Sequence, residues 1–144
     1  MRKLTLLLLL AILLPALPAA AGDMRFRTFA LMVDADTDSL AAWQVELTYD
    51  QAAVRIVGVE GGLAPWEEAP YYDPKGLDAG RMVLASFTLD PDPPSAAIRV
   101  ARVHIQQTGR KRNPLQANLM AAADAAGRRI GATVRLIPEE GERP

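Results

Sequence analysis

Cysteine is absent from all 144 residues, and histidine occurs once, at position 104. The first absence excludes disulfides, cysteine nucleophiles and the acylated cysteine of a bacterial lipoprotein. The second leaves any serine nucleophile with a single candidate base. Ser39, Ser86 and Ser95 stand in none of the contexts that activate a serine, and His104 lies between Val103 and Ile105 in an extended run. His104 is read as a plain surface side chain beside Arg102, and no catalytic residue is assigned. An excess of charge of one sign is missing too. With 16 basic and 17 acidic residues, the chain gives no support for binding nucleic acid or an anionic membrane.

Long apolar runs are scarce. The one exception is at the amino terminus, where Arg2 and Lys3 precede residues 4–14, apolar except for Thr5, then Pro15, Pro18 and Ala19, Ala20 and Ala21. Eleven residues make about 16 Å of helix, against a hydrocarbon core of about 30 Å. The layout is that of a cleaved secretory signal over residues 1–21, not a membrane anchor. Export to the periplasm or the medium is expected, with no span left after cleavage. The remaining residues carry fourteen basic against seventeen acidic side chains, a net charge of −3. They suffice for one domain with a single two-layer core, expected over residues 22–137 and followed by a disordered tail at 138–144.

Within that domain short apolar runs recur with turn residues between them, and alternation outweighs helical spacing. Strands are expected at 24–33, 43–49, 54–59, 81–89, 98–105, 115–121 and 130–137. The clearest is the second, where Trp43, Val45, Leu47 and Tyr49 alternate with Gln44, Glu46 and Thr48. Such a strand buries one face and wets the other. In the fifth, apolar parity changes between Val100 and Val103, which predicts a bulge. Residues 116–126 are rich in alanine and have helical propensity, but Asp124 to Gly127 and the β-branched run after it favour a hairpin. The fold class is all-β, a two-sheet β-sandwich.

The residues from Leu40 to Asp50, followed by 54–60, resemble the opening of a cohesin domain, where an alternating strand ends in Tyr-Asp and a val-x-val strand and a glycine follow. Residues 81–87 match its "grv-x-las" strand, 98–105 its next core strand, and 124–130 its "d-x-x-g-x-x-i" hairpin. The resemblance covers about residues 24–137. It implies a jelly-roll sandwich similar to cohesins and the related cellulose-binding modules. It also implies a binding activity without a cofactor: dockerin recognition in cohesins proper, polysaccharide binding in their relatives.

Candidate binding residues come from the connection 63–80, where Trp66, Tyr71 and Tyr72 lie close together among prolines, flanked by Glu67 and Glu68. Exposed rings stack on sugars or anchor protein interfaces. Rings of this size are also mostly buried, and plugging one end of the sandwich is the favoured reading, with Trp43 a core residue.

Asp34, Asp36 and Asp38 copy the first three ligands of a calcium loop, but Ser39 and Val45 stand where it needs glycine and glutamate, so no metal is assigned. The carboxylates Glu46, Glu60, Glu67, Glu68, Asp73 and Asp78 show no spacing that selects a hydrolytic pair. Arg110, Lys111 and Arg112 read as a solvated turn. The expected function is thus a non-catalytic binding module for an envelope or extracellular protein, or a polysaccharide. The alternatives are an envelope assembly component pairing through sheet edges and, behind it, a small hydrolase accessory domain.

Overall fold

The computed structural model describes residues 22–139. The leader expected at 1–21 lies outside them, as do residues 140–144 of the expected tail. Seven strands follow one another: β1 Met24–Asp34, β2 Ala42–Tyr49, β3 Val54–Gly61, β4 Arg81–Phe87, β5 Ile98–Thr108, β6 Leu115–Ala123 and β7 Thr133–Glu139. They form a four-stranded sheet in the order β3-β5-β1-β7 and a three-stranded sheet in the order β4-β2-β6, antiparallel throughout. No helix among the described residues is long and apolar enough to cross a membrane.

Alternation places the core. On β2, Trp43, Val45 and Leu47 are buried, and they meet Leu31 and Val33 of β1, Leu84 of β4, and Val103 and Ile105 of β5 in one cluster. Each buried aliphatic side chain contributes about 1.5–3 kcal/mol, so this cluster dominates the stability of the domain. The bulge expected on β5 is present. Val100 and Ala101 are both buried, and the register with β1 jumps from Leu31↔Ala101 to Met32↔Arg99. One extra residue there carries the strand's apolar parity from one phase to the other. Two further register shifts leave Met120 on β6 and Val57 on β3 without partners, and both side chains are exposed.

The predicted hairpin after β6 holds only at its turn. Gly127 adopts φ +76°, its N–H donates to the Asp124 carbonyl at 2.9 Å, and Ala123 bridges Arg129. Beyond Ile130 the chain leaves β6 and crosses to the other sheet, where β7 pairs with β1. Val134 and Leu136 can then pack against the core from the four-stranded sheet. Turn chemistry specified the corner but not the length of the ladder.

Asp124 holds that corner, taking the Arg128 amide on Oδ1 at 2.9 Å and the Arg128 guanidinium on Oδ2. The Arg128 amide, the largest influence, holds the carboxyl below its ordinary value against the opposing effect of desolvation, with help from the Arg128 side chain and the Ala126 amide. A carboxyl with a depressed folded pKa adds stability that is fully present above its unfolded value and is lost as pH falls through the folded one. We expect the corner to loosen only below about pH 3.8. Amide NMR shifts of Ala126 and Arg128, followed from pH 6 to 2, will move there in the native chain, and Asp124→Asn will abolish that step.

β7 also runs two residues beyond the domain boundary expected from sequence, through Pro138 to Glu139. The ladder explains how proline is accommodated. The Gly109 amide donates to the Asp23 carbonyl, so Asp23 and the odd-numbered residues after it direct their backbone groups toward β5. The even-numbered residues direct theirs toward β7. Pro138 faces Phe29, an odd position, so its missing N–H falls on the outer side of β7 and breaks no bond to β1.

Candidate functional site

The three rings singled out from the sequence have three different fates. Trp66 is only 2% exposed and meets Trp43 edge-on, with ring centroids 6.3 Å apart. The loop that carries it is tied down locally. The Gly62 amide donates to the Trp66 carbonyl at 2.6 Å, the Trp66 amide to Leu63, and the Leu63 amide to Arg99. A Cβ at Gly61 would strike the Glu67 carbonyl, and one at Gly62 the Arg99 carbonyl, so the loop needs both glycines to lie this close. Trp66 is therefore corrected from candidate contact to plug: a ring inside the core cannot touch a partner. Tyr72 is half-buried and packs on the same cluster.

Tyr71 remains at the surface, 73% exposed. It exchanges backbone hydrogen bonds with Ala85, donating at 2.8 Å and accepting at 3.0 Å, which adds a single residue to the free edge of β4. Its ring shares the outer face of the three-stranded sheet with Ala85, since paired residues project to one side.

That outer face is divided in two. Register sets Ala42 of β2 between Ala123 of β6 and Phe87 of β4, and Gln44 between Ala121 and Ala85. Four alanines thus form a floor from which Gln44 is the one long side chain to project. Tyr71 and the 60%-exposed Phe87 stand as its walls, and the hollow encloses about 280 Å³. The next rows down are mostly polar, Asn118, Glu46 and Val83 and then Gln116, Thr48 and Arg81 in register, with Arg81 paired to Glu46. A partner here meets an apolar seat bordered by hydrogen-bonding groups and one ion pair. Sequence reading missed Phe87 and the four alanines. Their one visible trace was the alternation of alanines in 117–123, which read as strand periodicity alone.

The remaining candidates serve the scaffold. His104 sits on the outer face of the four-stranded sheet, with Nδ1 hydrogen-bonded to Thr28 Oγ1 at 3.0 Å, a tie between β5 and β1, while Nε2 lies 3.3 Å from Glu60 Oε2 on β3 without a hydrogen bond among the described residues. Arg99 and Arg102 both reach Glu139 on β7. Asp34 accepts the Asp36 amide at 3.0 Å, an aspartate turn, and no three metal-binding side chains converge among the described residues. In the basic turn it is the backbone that is used: the Lys111 carbonyl accepts from Arg27 and from the buried Gln107, and the Arg112 carbonyl from Arg27.

Strand order, the crossing of β7 and the bulged β5 define a cohesin-like jelly-roll sandwich. A chain of the CaDoc0917–CaCohA2 complex superposes with a TM-score of 0.59 at 12% identity, over 81% of this chain and 89% of that one. The seventh ScaB type I cohesin from Pseudobacteroides cellulosolvens superposes at 0.53 and 10% identity, over 83% and 85%. Likeness at such low identity is a likeness of fold. No protein-family model matches the sequence, and no curated protein is significantly similar to it.

Proposed function

We propose that this chain is a non-catalytic protein-binding module, and that its partner docks on the outer face of β4-β2-β6. The observation that carries the reading is the alanine-floored hollow walled on its β4 side by Tyr71 and Phe87, a largely apolar seat on a face whose other half is mostly polar. Complexed proteins bury such apolar centres within polar rims. A fold shared with a cohesin found in complex with a dockerin supports the same reading. A protein partner suits the hollow better than a polysaccharide, because alanine methyls and the Phe87 ring make up most of its lining and hydrogen-bonding side chains are few: Gln44, Ser86, the Tyr71 hydroxyl and the indole of Trp43, a residue buried in the core. Export through the leader at residues 1–21 belongs to this proposal and places the partner at the envelope or outside the cell.

Photo-crosslinking tests the face. A benzophenone side chain at position 87 or 71, in cells of the source organism, is expected to trap one discrete protein. The same group at Arg55, on the outer face of the other sheet, is expected to trap none. The trapped protein, purified, is then titrated against the native domain. Equal trapping from both faces, or no saturable binding of the purified protein, overturns the assignment.

A further inference from the structure

The outer face of the three-stranded sheet is widened at both edges by a single residue. On the β4 side Tyr71 bridges Ala85, and on the β6 side the chain folds back so that Arg129 bridges Ala123. The Ile130 amide donates to the Ala122 carbonyl at 3.0 Å and the Asp124 amide to the Arg128 carbonyl at 2.9 Å, which fixes Arg129 alongside the strand. Bridged residues project to one side, so the Arg129 side chain shares the outer face with Ala123. One row therefore reads Arg129, Ala123, Ala42, Phe87, and the row beside it Ala121, Gln44, Ala85, Tyr71. Strand spacings of about 4.8 Å set Arg129 about 14 Å from Phe87 along the first row.

Arg129 is the one cation in those two rows. The neighbouring Arg128 is held by Asp124, with Nη2 2.7 Å from Oδ2, whereas Arg129 is exposed and makes no ion pair among the described residues. The β4 side has the opposite sign. Glu67 and Glu68 come just before Tyr71, and Asp90 and Asp92 just after Phe87. All four are exposed, and none pairs with a cation among the described residues. Neither 61–72 nor 87–97 contains a lysine or an arginine. Farther down the face, Glu46 and Arg81 neutralise one another. The face is polarised across its strands, positive beyond β6 and negative beyond β4, with the alanine floor between.

We propose, resting on the docking face assigned above, that the partner protein is polarised in the opposite sense. It presents a carboxylate side chain to Arg129 and basic side chains toward Glu67, Glu68, Asp90 and Asp92, on either side of the apolar group that fills the hollow. An apolar seat by itself accepts that group from either direction. Charge removes the ambiguity, because the reversed docking sets cation against Arg129 and carboxylate against the four acids, and like charges brought together at an interface are costly. Arg129 is the residue that determines specificity, since a guanidinium grips a carboxylate through two parallel hydrogen bonds. The partner seats one way round.

Calorimetric titration with the purified protein trapped through position 87 tests this on the native domain, Arg129→Glu, the double variant Glu67→Lys with Glu68→Lys, and Phe87→Ala. Arg129→Glu is expected to weaken binding at least about tenfold and the double variant at least about fivefold. The melting midpoints of both should hold, because these side chains are exposed and unpaired among the described residues. Arg129→Lys gives a second readout. Carbodiimide joins an amine to an adjacent carboxylate, and the amine introduced at position 129 is expected to couple to one aspartate or glutamate of the trapped protein, located by peptide mass spectrometry. Undiminished affinity in Arg129→Glu, with affinity lost in Phe87→Ala, overturns the polarity and leaves the docking face standing. Undiminished affinity in both variants removes the face and this inference with it. Coupling that reaches no acidic residue of the trapped protein also overturns the proposal.

Discussion

Trp66→Ala is expected to cost about 3–5 kcal/mol of stability, the range for emptying a large buried aromatic site. In a domain of this size that lowers the melting midpoint by roughly 10–20 °C. The ring seals one side of the sandwich against Trp43, and the loop around it is fixed by three backbone hydrogen bonds and two glycines too crowded to carry a side chain. Little relaxation can fill the void. The indole N–H has no hydrogen-bond partner among the described residues, so Trp66→Phe gives up volume without breaking a bond and should cost clearly less. Tyr71→Ala, at an exposed ring held only through its backbone, should stay within about 0.5 kcal/mol of the native chain. Thermal melts of the three variants check the order. A Trp66→Ala chain that melts within a few degrees of the native one would remove Trp66 from the core.

The second large effect is on binding. Ala121→Arg places a long cation on the alanine floor, opposite Gln44 and across β2 from the Tyr71 and Phe87 walls. A partner seated there must be displaced or must bury the charge unpaired, and affinity for the protein trapped through position 87 should fall at least thirtyfold, about 2 kcal/mol. Because residue 121 lies on the outer face, the melting midpoint should hold while affinity is lost. Phe87→Ala removes a wall and is expected to act in the same direction. Unchanged affinity in Ala121→Arg, measured by calorimetric titration, would move the docking surface elsewhere.

Those two sites were legible in the sequence to very different degrees, for a physical reason. Strand periodicity is a covalent property of extended chain, so the inward sets of β2 and β5, and the bulge at Val100, could be read one segment at a time. The burial of Trp66 was favoured on size alone. The hollow was not readable in that way. Its floor is assembled from Ala42, Ala85, Ala121 and Ala123, on three strands far apart in the chain, and only the register of β2 against both neighbours sets them side by side. Alanine is a weak signal in any hydrophobic pattern, and here its smallness makes the site. The crossing of β7 was hidden for a related reason. Asp124 and Gly127 shape a corner whether the strand after it stays with β6 or changes sheets, and that choice depends on where Val134 and Leu136 find apolar neighbours.

Pro138 has a consequence for life among other copies of the same molecule. It closes a ladder on one side and offers no donor on the other, so the outermost strand of the larger sheet is interrupted for any visiting chain that would template on it. A module that presents a greasy seat on one face can be kept at high local concentration only if its rims do not zip together. At Pro138 an incoming strand finds no donor, which discourages copies from pairing edge to edge along β7.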